Sequence, residues 1–179
     1  LLILLCPSIS MKSFSSEYRQ STDNIVFTYP VSIESVVIGK FIAMSAFLGL
    51  NIIFISSFSL IVKIYGEFYL PEFLIGNLGL QLEGMAFLAI NLFIASLTKT
   101  SASCISLQIS VNLFIWLINI FNNAKLNPIV GALINLIDVN YHYRSFSISQ
   151  ISFANIAYFI MIIISFVALS VFSLRMRKN

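Results

Sequence analysis

The sequence predicts an all-α membrane protein, a bundle of helices that crosses the bilayer several times. Of its 179 residues, 59% are hydrophobic and 9% are charged, whereas soluble domains contain about 25% charged residues. The hydrophobic residues lie in long runs that shorter polar stretches separate. Because a helix needs roughly 20 residues to cross about 30 Å of hydrocarbon, runs of this length predict membrane spans.

Four hydrophobic runs are long enough to cross the bilayer, and they occupy residues 41–62, 73–97, 101–121 and 151–174. A further apolar stretch, residues 1–10, starts without the basic residues of a signal peptide. We interpret it as the end of a span whose beginning is missing. The chain, residues 1–179, is thus predicted to form a single transmembrane domain.

A polar segment, residues 12–40, precedes the first complete span. Mostly apolar residues recur in it at steps of three and four: Phe14, Tyr18, Ser21, Ile25 and Tyr29. This spacing predicts an amphipathic helix, and Arg19 and Asp23 are spaced to pair across one turn. Such a helix fits either the membrane surface or the groove of a partner protein, and a plain interfacial anchor is the simpler alternative.

Pro30 is expected to end this helix, because proline lacks an amide donor and keeps the preceding residue out of the helical conformation. Ser32 is then placed to cap a new helix. Glu34 in the first turn of that helix interacts favourably with the helix dipole. The chain is therefore predicted to bend at Pro30 and to enter the membrane after Lys40.

The lysines and arginines predict the orientation, because these residues stay preferentially on the cytoplasmic side. If the spans alternate in direction, one side holds Lys12, Arg19, Lys40, Lys99, Arg175, Arg177 and Lys178. The other side holds Lys63, Lys125 and Arg144. We expect the polar segment and the C-terminus to be cytoplasmic in an inner or plasma membrane. The basic residues form no cluster, so the net charge of +3 indicates topology and not nucleic-acid binding.

Glu83 is an acidic residue inside a predicted span. A carboxylate in hydrocarbon is costly, and it is a functional hypothesis by default. With Gln81 and Asn91 it is predicted to line a translocation path, and an interhelical hydrogen-bonding role is the open alternative. Gly79 and Gly84 flank Glu83 and predict a close approach of neighbouring helices.

The connection at residues 122–150 is long and only partly polar. Asn127 and Pro128 form a helix-start signal. The apolar residues that follow predict a segment at the outer leaflet or dipping into it. His142 is the single histidine of the chain. With no second ligand beside it, we expect it to form hydrogen bonds and predict no metal site.

Three parts of the sequence resemble, in the same order, motifs of ABC-2 type transporter permeases, particularly the gliding-motility-like subgroup. The first part is similar to the family's E-x-R-x-G-T-x-E-L-L-x-T-x-P-V start and V-L-G-K-F entry into a span. It comprises Glu17, Arg19, Thr22, Asp23, Pro30, Glu34 and residues 38–41. Ser21 and Asn24 stand where the family usually has Gly and Glu.

The second part, residues 94–118, looks like a family junction in which a Ser-Leu-Thr turn leads into an apolar helix with a late tryptophan, here Trp116. The third part looks like the family patterns H-F-x-x-F-S-x-G and D-x-x-Y-F. Its matching residues are His142, Tyr143, Phe146, Ser147, Tyr158 and Phe159. Arg144, Ser149 and Asn155 replace a usual acid, Gly and Asp. Together the three parts cover essentially the whole chain.

The resemblance implies a type V exporter-like transmembrane domain that lacks its first span and most of its second. It implies an exporter permease that works by alternating access with a second permease copy or paralogue and with cytosolic ABC ATPase subunits. It implies a role in coupling to the ATPase for Glu17, Arg19, Thr22, Asp23, Pro30 and Glu34. It also implies that residues 122–150, with His142 and Phe146, form an outer lid.

The chain contains no phosphate-binding G-x-x-x-x-G-K-[ST] motif, so ATP is expected to be bound and hydrolysed by the partner subunit. We predict no enzymatic activity and no cofactor for the permease itself. Glu83 has an apolar counterpart in the family, so the resemblance does not extend to it. A secondary transporter or channel that uses Glu83 without ATP is the alternative function. No motif identifies the substrate.

Overall fold

The computed structural model describes residues 2–11, 32–59, 69–98, 100–123 and 138–178. Within these ranges the regular structure is helical. The helices are α1 (Leu2–Ser10), α2 (Ile33–Ser57), α3 (Leu70–Leu97), α4 (Ser101–Asn123), α5 (Val139–Ser147) and α6 (Phe153–Lys178). Four of them, α2, α3, α4 and α6, are long and apolar enough to cross a membrane. The prediction of a multi-pass helical membrane protein is confirmed at this level.

Helix α2 begins earlier than the predicted span, because Ser32 caps it. The Ser32 hydroxyl accepts a hydrogen bond from the Ser35 amide at 3.3 Å, which satisfies one of the free donors of the first turn. Glu34 lies in that turn, as predicted. The last eight residues of the polar segment, 33–40, are therefore one continuous helix with the span.

The other helix starts also follow from local sequence. Helix α3 has Pro71 and Glu72 in its first turn, where the missing proline donor is harmless and a negative charge is favourable. Thr100 accepts a hydrogen bond from the Ser103 amide at the start of α4. Asp138 accepts one from the Asn140 amide at 3.0 Å and so caps α5.

Helix α3 is the centre of the bundle and contacts each of the five other helices. Its residues 86–92 are all buried. Two glycines bring neighbours close: a Cβ on Gly79 would lie 2.4 Å from Cβ of Phe146 in α5. A Cβ on Gly84 would lie 2.4 Å from a methyl group of Leu48 in α2. The close approach predicted at these two glycines is confirmed.

Helix α6 packs mainly against α3 and α2 at the edge of the bundle. At one end, the Arg175 guanidinium forms an ion pair with the Glu34 carboxylate. The start of α2 and the end of α6 therefore lie at the same end of the bundle.

Several predicted residues lie outside the described ranges. They are Glu17, Arg19, Thr22, Asp23 and Pro30 of the polar segment, and Asn127 and Pro128 of the long connection.

Candidate functional site

Glu83 lies midway along α3 and is only 7% exposed. Among the described residues, no hydrogen bond reaches its carboxylate. A carboxyl group at this depth in a membrane helix is costly unless it binds a partner. Glu83 is therefore the first residue of the candidate site.

The Glu83 side chain lines a cavity of about 290 Å³ between α1, α2, α3, α4 and α5, which we call the Glu83 cavity. The wall also contains two amide side chains, Asn51 of α2 and Asn140 of α5, and the indole of Trp116 of α4. The rest of the wall is aliphatic or phenylalanine. Trp116 is 45% exposed, so only part of its indole belongs to the cavity wall. The cavity is thus an apolar chamber with one carboxylate and one indole.

The other two predicted path residues, Gln81 and Asn91, do not line this cavity. The Gln81 side-chain amide donates to the Ser45 carbonyl of α2 at 3.1 Å. The Asn91 backbone carbonyl accepts from the Gln108 amide of α4 at 2.8 Å. Both residues hold α3 against its neighbours, so the structure separates them from Glu83.

Four residues that match the third family motif form a compact group with Asn155, which replaces the motif's usual Asp; we call this group the α5–α6 cluster. It contains His142 and Phe146 of α5 and Asn155, Tyr158 and Phe159 of α6. The His142 ring stacks on Tyr158, with 3.7 Å between ring centroids. Nδ1 of His142 lies 2.8 Å from Oδ1 of Asn155. Phe146 and Phe159 are both fully buried, and their rings lie 6.2 Å apart.

A serine of α5 completes this polar contact. The Asn155 amide nitrogen donates to the Ser145 hydroxyl at 2.7 Å. Since Asn155 binds both His142 and Ser145, one side chain at the start of α6 fixes two positions of α5. The orientation of α5 is thereby set relative to α6.

Helix α5 also forms one side of the Glu83 cavity. Phe146 packs on Gly79, which lies four residues before Glu83 on α3, and Asn140 contributes to the cavity wall. Burial, and to a smaller extent the nearby Glu83 carboxylate, raises the pKa of the Tyr143 phenol above its ordinary value. The cluster and the cavity belong to one continuous region.

Sequence reasoning missed Trp116 as a neighbour of Glu83, although a signal for it exists. Helices α3 and α4 are antiparallel and are joined by the short connection between Leu97 and Ser101, so residues equally far from that connection lie at the same depth. Glu83 is 16 residues before Lys99 and Trp116 is 17 residues after it (99 − 83 and 116 − 99). The same count pairs Asn91 with Gln108, which are hydrogen-bonded.

The ion pair between Glu34 and Arg175 was also not expected from the sequence. Of the residues proposed for coupling to an ATPase, Glu34 is the one that the structure describes. The Glu34 side chain is 37% exposed and that of Arg175 is 61% exposed. This pair joins the first turn of α2 to the last turn of α6.

A scan against models of known protein families finds no match to this chain, and a search of curated proteins likewise finds no match. Within the described ranges, no three His, Cys, Asp or Glu side chains lie close enough together to hold a metal ion.

Proposed function

We propose that this chain is the membrane-spanning permease subunit of an ABC-2 type transporter. The α5–α6 cluster carries the proposal. His142, Phe146, Tyr158 and Phe159 match the family's third motif, Asn155 stands where the motif has Asp, and these five residues form one set of contacts. Such contacts are expected if the motif serves to pack α5 on α6.

The backbone at Ser149 supports the same resemblance. The family usually has Gly at this position, and Ser149 has φ = 60°. This left-handed conformation favours glycine, because a side chain there is strained. The conformation that explains the family's glycine is thus present here although the glycine is replaced.

The proposed mechanism couples ATP hydrolysis in a separate cytosolic subunit to the membrane helices. The ATPase binds the polar segment, with Glu17, Arg19, Thr22 and Asp23 in contact with it and Pro30 forming the bend. Helix α2 transmits the movement because it runs unbroken from Ile33 to Ser57. The ion pair between Glu34 and Arg175 ties α6 to the same movement.

In this proposal two permease copies, or this chain and a paralogue, alternate between inward-facing and outward-facing states and export the substrate. The polar segment and the C-terminus are cytoplasmic, and the protein lies in the inner or plasma membrane. Helix α5 and the residues before it act as the outer lid. His142 and Phe146 hold that lid against α6 and α3.

Copurification from native membranes tests the proposal. We expect an ATPase with a phosphate-binding loop to copurify with the full chain and to be lost when residues 15–29 are deleted. In the reconstituted complex, Arg19→Glu and Asp23→Lys should uncouple ATP hydrolysis from transport. Glu72→Lys, a charge reversal at the exposed start of α3 on the predicted outer side, is the matched control. Unchanged coupling in both polar-segment variants would contradict the proposal.

A second candidate function is ATP-independent transport, in a secondary transporter or a channel. The observation that favours it is the buried Glu83 carboxylate in the wall of a cavity, since intramembrane carboxylates often mark ion or proton pathways. Transport by the purified chain in proteoliposomes without ATP would support this alternative. Transport that requires both the ATPase and ATP would exclude it.

A further inference from the structure

The Glu83 cavity combines three features in one space: a buried carboxylate, an indole ring and apolar walls. Glu83 is 7% exposed. Among the described residues, no hydrogen bond reaches its carboxylate. Its side chain lines the cavity, so a molecule in the cavity meets an acidic group. A partner with positive charge is therefore the electrostatic complement of this wall.

Trp116 adds a second attraction for positive charge. The face of an indole ring is the best aromatic surface for a cation, and the interaction grows when water is excluded. Trp116 lies in the same cavity wall as Glu83. A cation held between a carboxylate and an indole gains from both groups at once.

The apolar walls decide which kind of cation fits. Leu48 of α2 and Leu80 and Phe87 of α3 contribute hydrocarbon surface to the cavity. Ca²⁺ and Mg²⁺ need six or more oxygen ligands, and this wall offers the Glu83 carboxylate with the amides of Asn51 and Asn140. Either divalent ion would remain under-coordinated there. A cation that carries its own apolar groups satisfies both the carboxylate and the walls.

The size of the cavity agrees with a small organic ligand. Its volume of about 290 Å³ is near the lower end of small-molecule sites, which occupy roughly 300–1,000 Å³. An anion would be repelled by Glu83. A neutral apolar molecule would contact the apolar walls but would gain nothing from the charge of a Glu83 carboxylate.

We propose that the Glu83 cavity binds a small organic cation with apolar substituents, its charge held by Glu83 and by the face of Trp116. The inference rests on the proposed function in one respect, since it names the substrate class of a transport path through this cavity. The binding itself involves this chain alone and requires no ATPase.

Intrinsic fluorescence tests this inference directly, because Trp116 is the only tryptophan in the chain. The full chain is purified in uncharged lipid nanodiscs and titrated with benzyltrimethylammonium. We expect a saturable change in Trp116 emission. Neopentylbenzene, the neutral isostere, should bind at least tenfold more weakly after correction for its partition into lipid, and benzenesulfonate should not bind.

Two variants of α3 test whether binding depends on the carboxylate of Glu83 in particular or on any acidic residue of the helix. Glu83→Gln should weaken binding of benzyltrimethylammonium at least tenfold. Glu72→Gln is the matched control, because Glu72 lies on the same helix but is exposed, and it should leave binding unchanged. Size-exclusion chromatography and circular dichroism verify that both variants fold. If Glu83→Gln does not fold, the comparison of the three ligands on the unaltered chain decides the question.

Equal affinity for the cation and its neutral isostere would overturn the inference, as would full affinity in a folded Glu83→Gln variant. A different experiment, copurification and coupling of the ATPase, tests the proposed function. If no ATPase copurifies or couples, binding to the isolated chain still stands. If coupling is intact but the cation does not bind, the inference about the cavity alone is wrong.

Discussion

Helices α3 and α6 are both long and apolar, yet the bundle buries them to opposite extents. In the most apolar stretch of α3, 67% of the residues are buried inside the protein, against 11% for α6. The buried helix is the less hydrophobic of the two. In a membrane, the lipid is as apolar as a protein core, so hydrophobicity does not drive a helix inward.

Small and polar residues account for the central position of α3. Gly79 and Gly84 admit Phe146 and Leu48, and Gln81 forms a hydrogen bond to α2. Close packing and interhelical hydrogen bonds are what hold membrane helices together. Large apolar residues of α6, such as Ile164 and Phe172, are instead exposed on its outer surface. The predictions below test this contrast, from the largest expected effect to the smallest.

Gly79→Leu should be the most damaging change. A Cβ at this position already lies 2.4 Å from Cβ of Phe146, which is close to the α5 backbone and cannot swing away. We expect a loss of about 3 kcal/mol in the free energy of unfolding, since overpacking typically costs 1–3 kcal/mol and sometimes more. Reversible unfolding in detergent measures it.

Gly76→Leu is the matched control on the same helix, because nothing lies within 4 Å of a Cβ at Gly76. It should be neutral, or stabilising by up to about 1 kcal/mol through helix propensity. Equal destabilisation by both substitutions would show that the glycines matter for α3 itself and not for its contact with α5.

Leu92→Ala in α3 and Leu169→Ala in α6 form the next pair. Leu92 is fully buried, whereas Leu169 is 43% exposed. We expect Leu92→Ala to lower the free energy of unfolding by about 2 kcal/mol, the lower end of the range for such truncations. The Leu92 side chain is surrounded by lipid and not by water when the helices separate, so only its packing contacts are lost. Leu169→Ala should cost well under half as much, since lipid fills the space. Unfolding in lipid nanodiscs measures both, and equal losses would remove the distinction between the two helices.

Asn91→Leu should stabilise the protein by about 1 kcal/mol, because the side-chain amide of Asn91 is buried with no hydrogen-bond partner among the described residues. Its backbone bond from Gln108 is retained. Asn155→Leu in α6 should do the opposite, since it removes the contacts to His142 and Ser145. Thermal unfolding compares the two variants.

If Asn91→Leu is more stable but transports less, the asparagine has a functional role that opposes stability. Destabilisation by Asn91→Leu would contradict the expectation.

Arg175→Ala should have the smallest effect on stability, at most about 1 kcal/mol, because exposed ion pairs contribute little and salt screens them. Both partners of this pair are partly exposed. The proposed function predicts a larger effect on ATPase coupling than on unfolding. The charge-swapped double variant Glu34→Arg/Arg175→Glu should restore coupling, and failure to do so would separate coupling from this ion pair.

Local signals in the sequence were sufficient for helix starts. Ser32 caps α2 and Pro71 opens α3, because capping and proline effects involve only residues within a turn of each other. The pairing of Asn91 with Gln108 across the short connection between α3 and α4 could also have been predicted, since a short connection sets the register of two antiparallel helices. The ion pair between Glu34 and Arg175 was not, because α2 and α6 are separated by two other membrane helices in the chain.

The sequence by itself determined that this is a helical membrane protein with four long apolar helices, because the length and polarity of a segment suffice to decide whether it can cross a bilayer. Only the tertiary structure decided that α3 is central, that Glu83 faces a cavity with Trp116, and that His142 meets Asn155 and Tyr158. These facts depend on the rotation and depth of each helix relative to the others. Contacts between distant segments set that rotation and depth, and the lipid environment leaves them open.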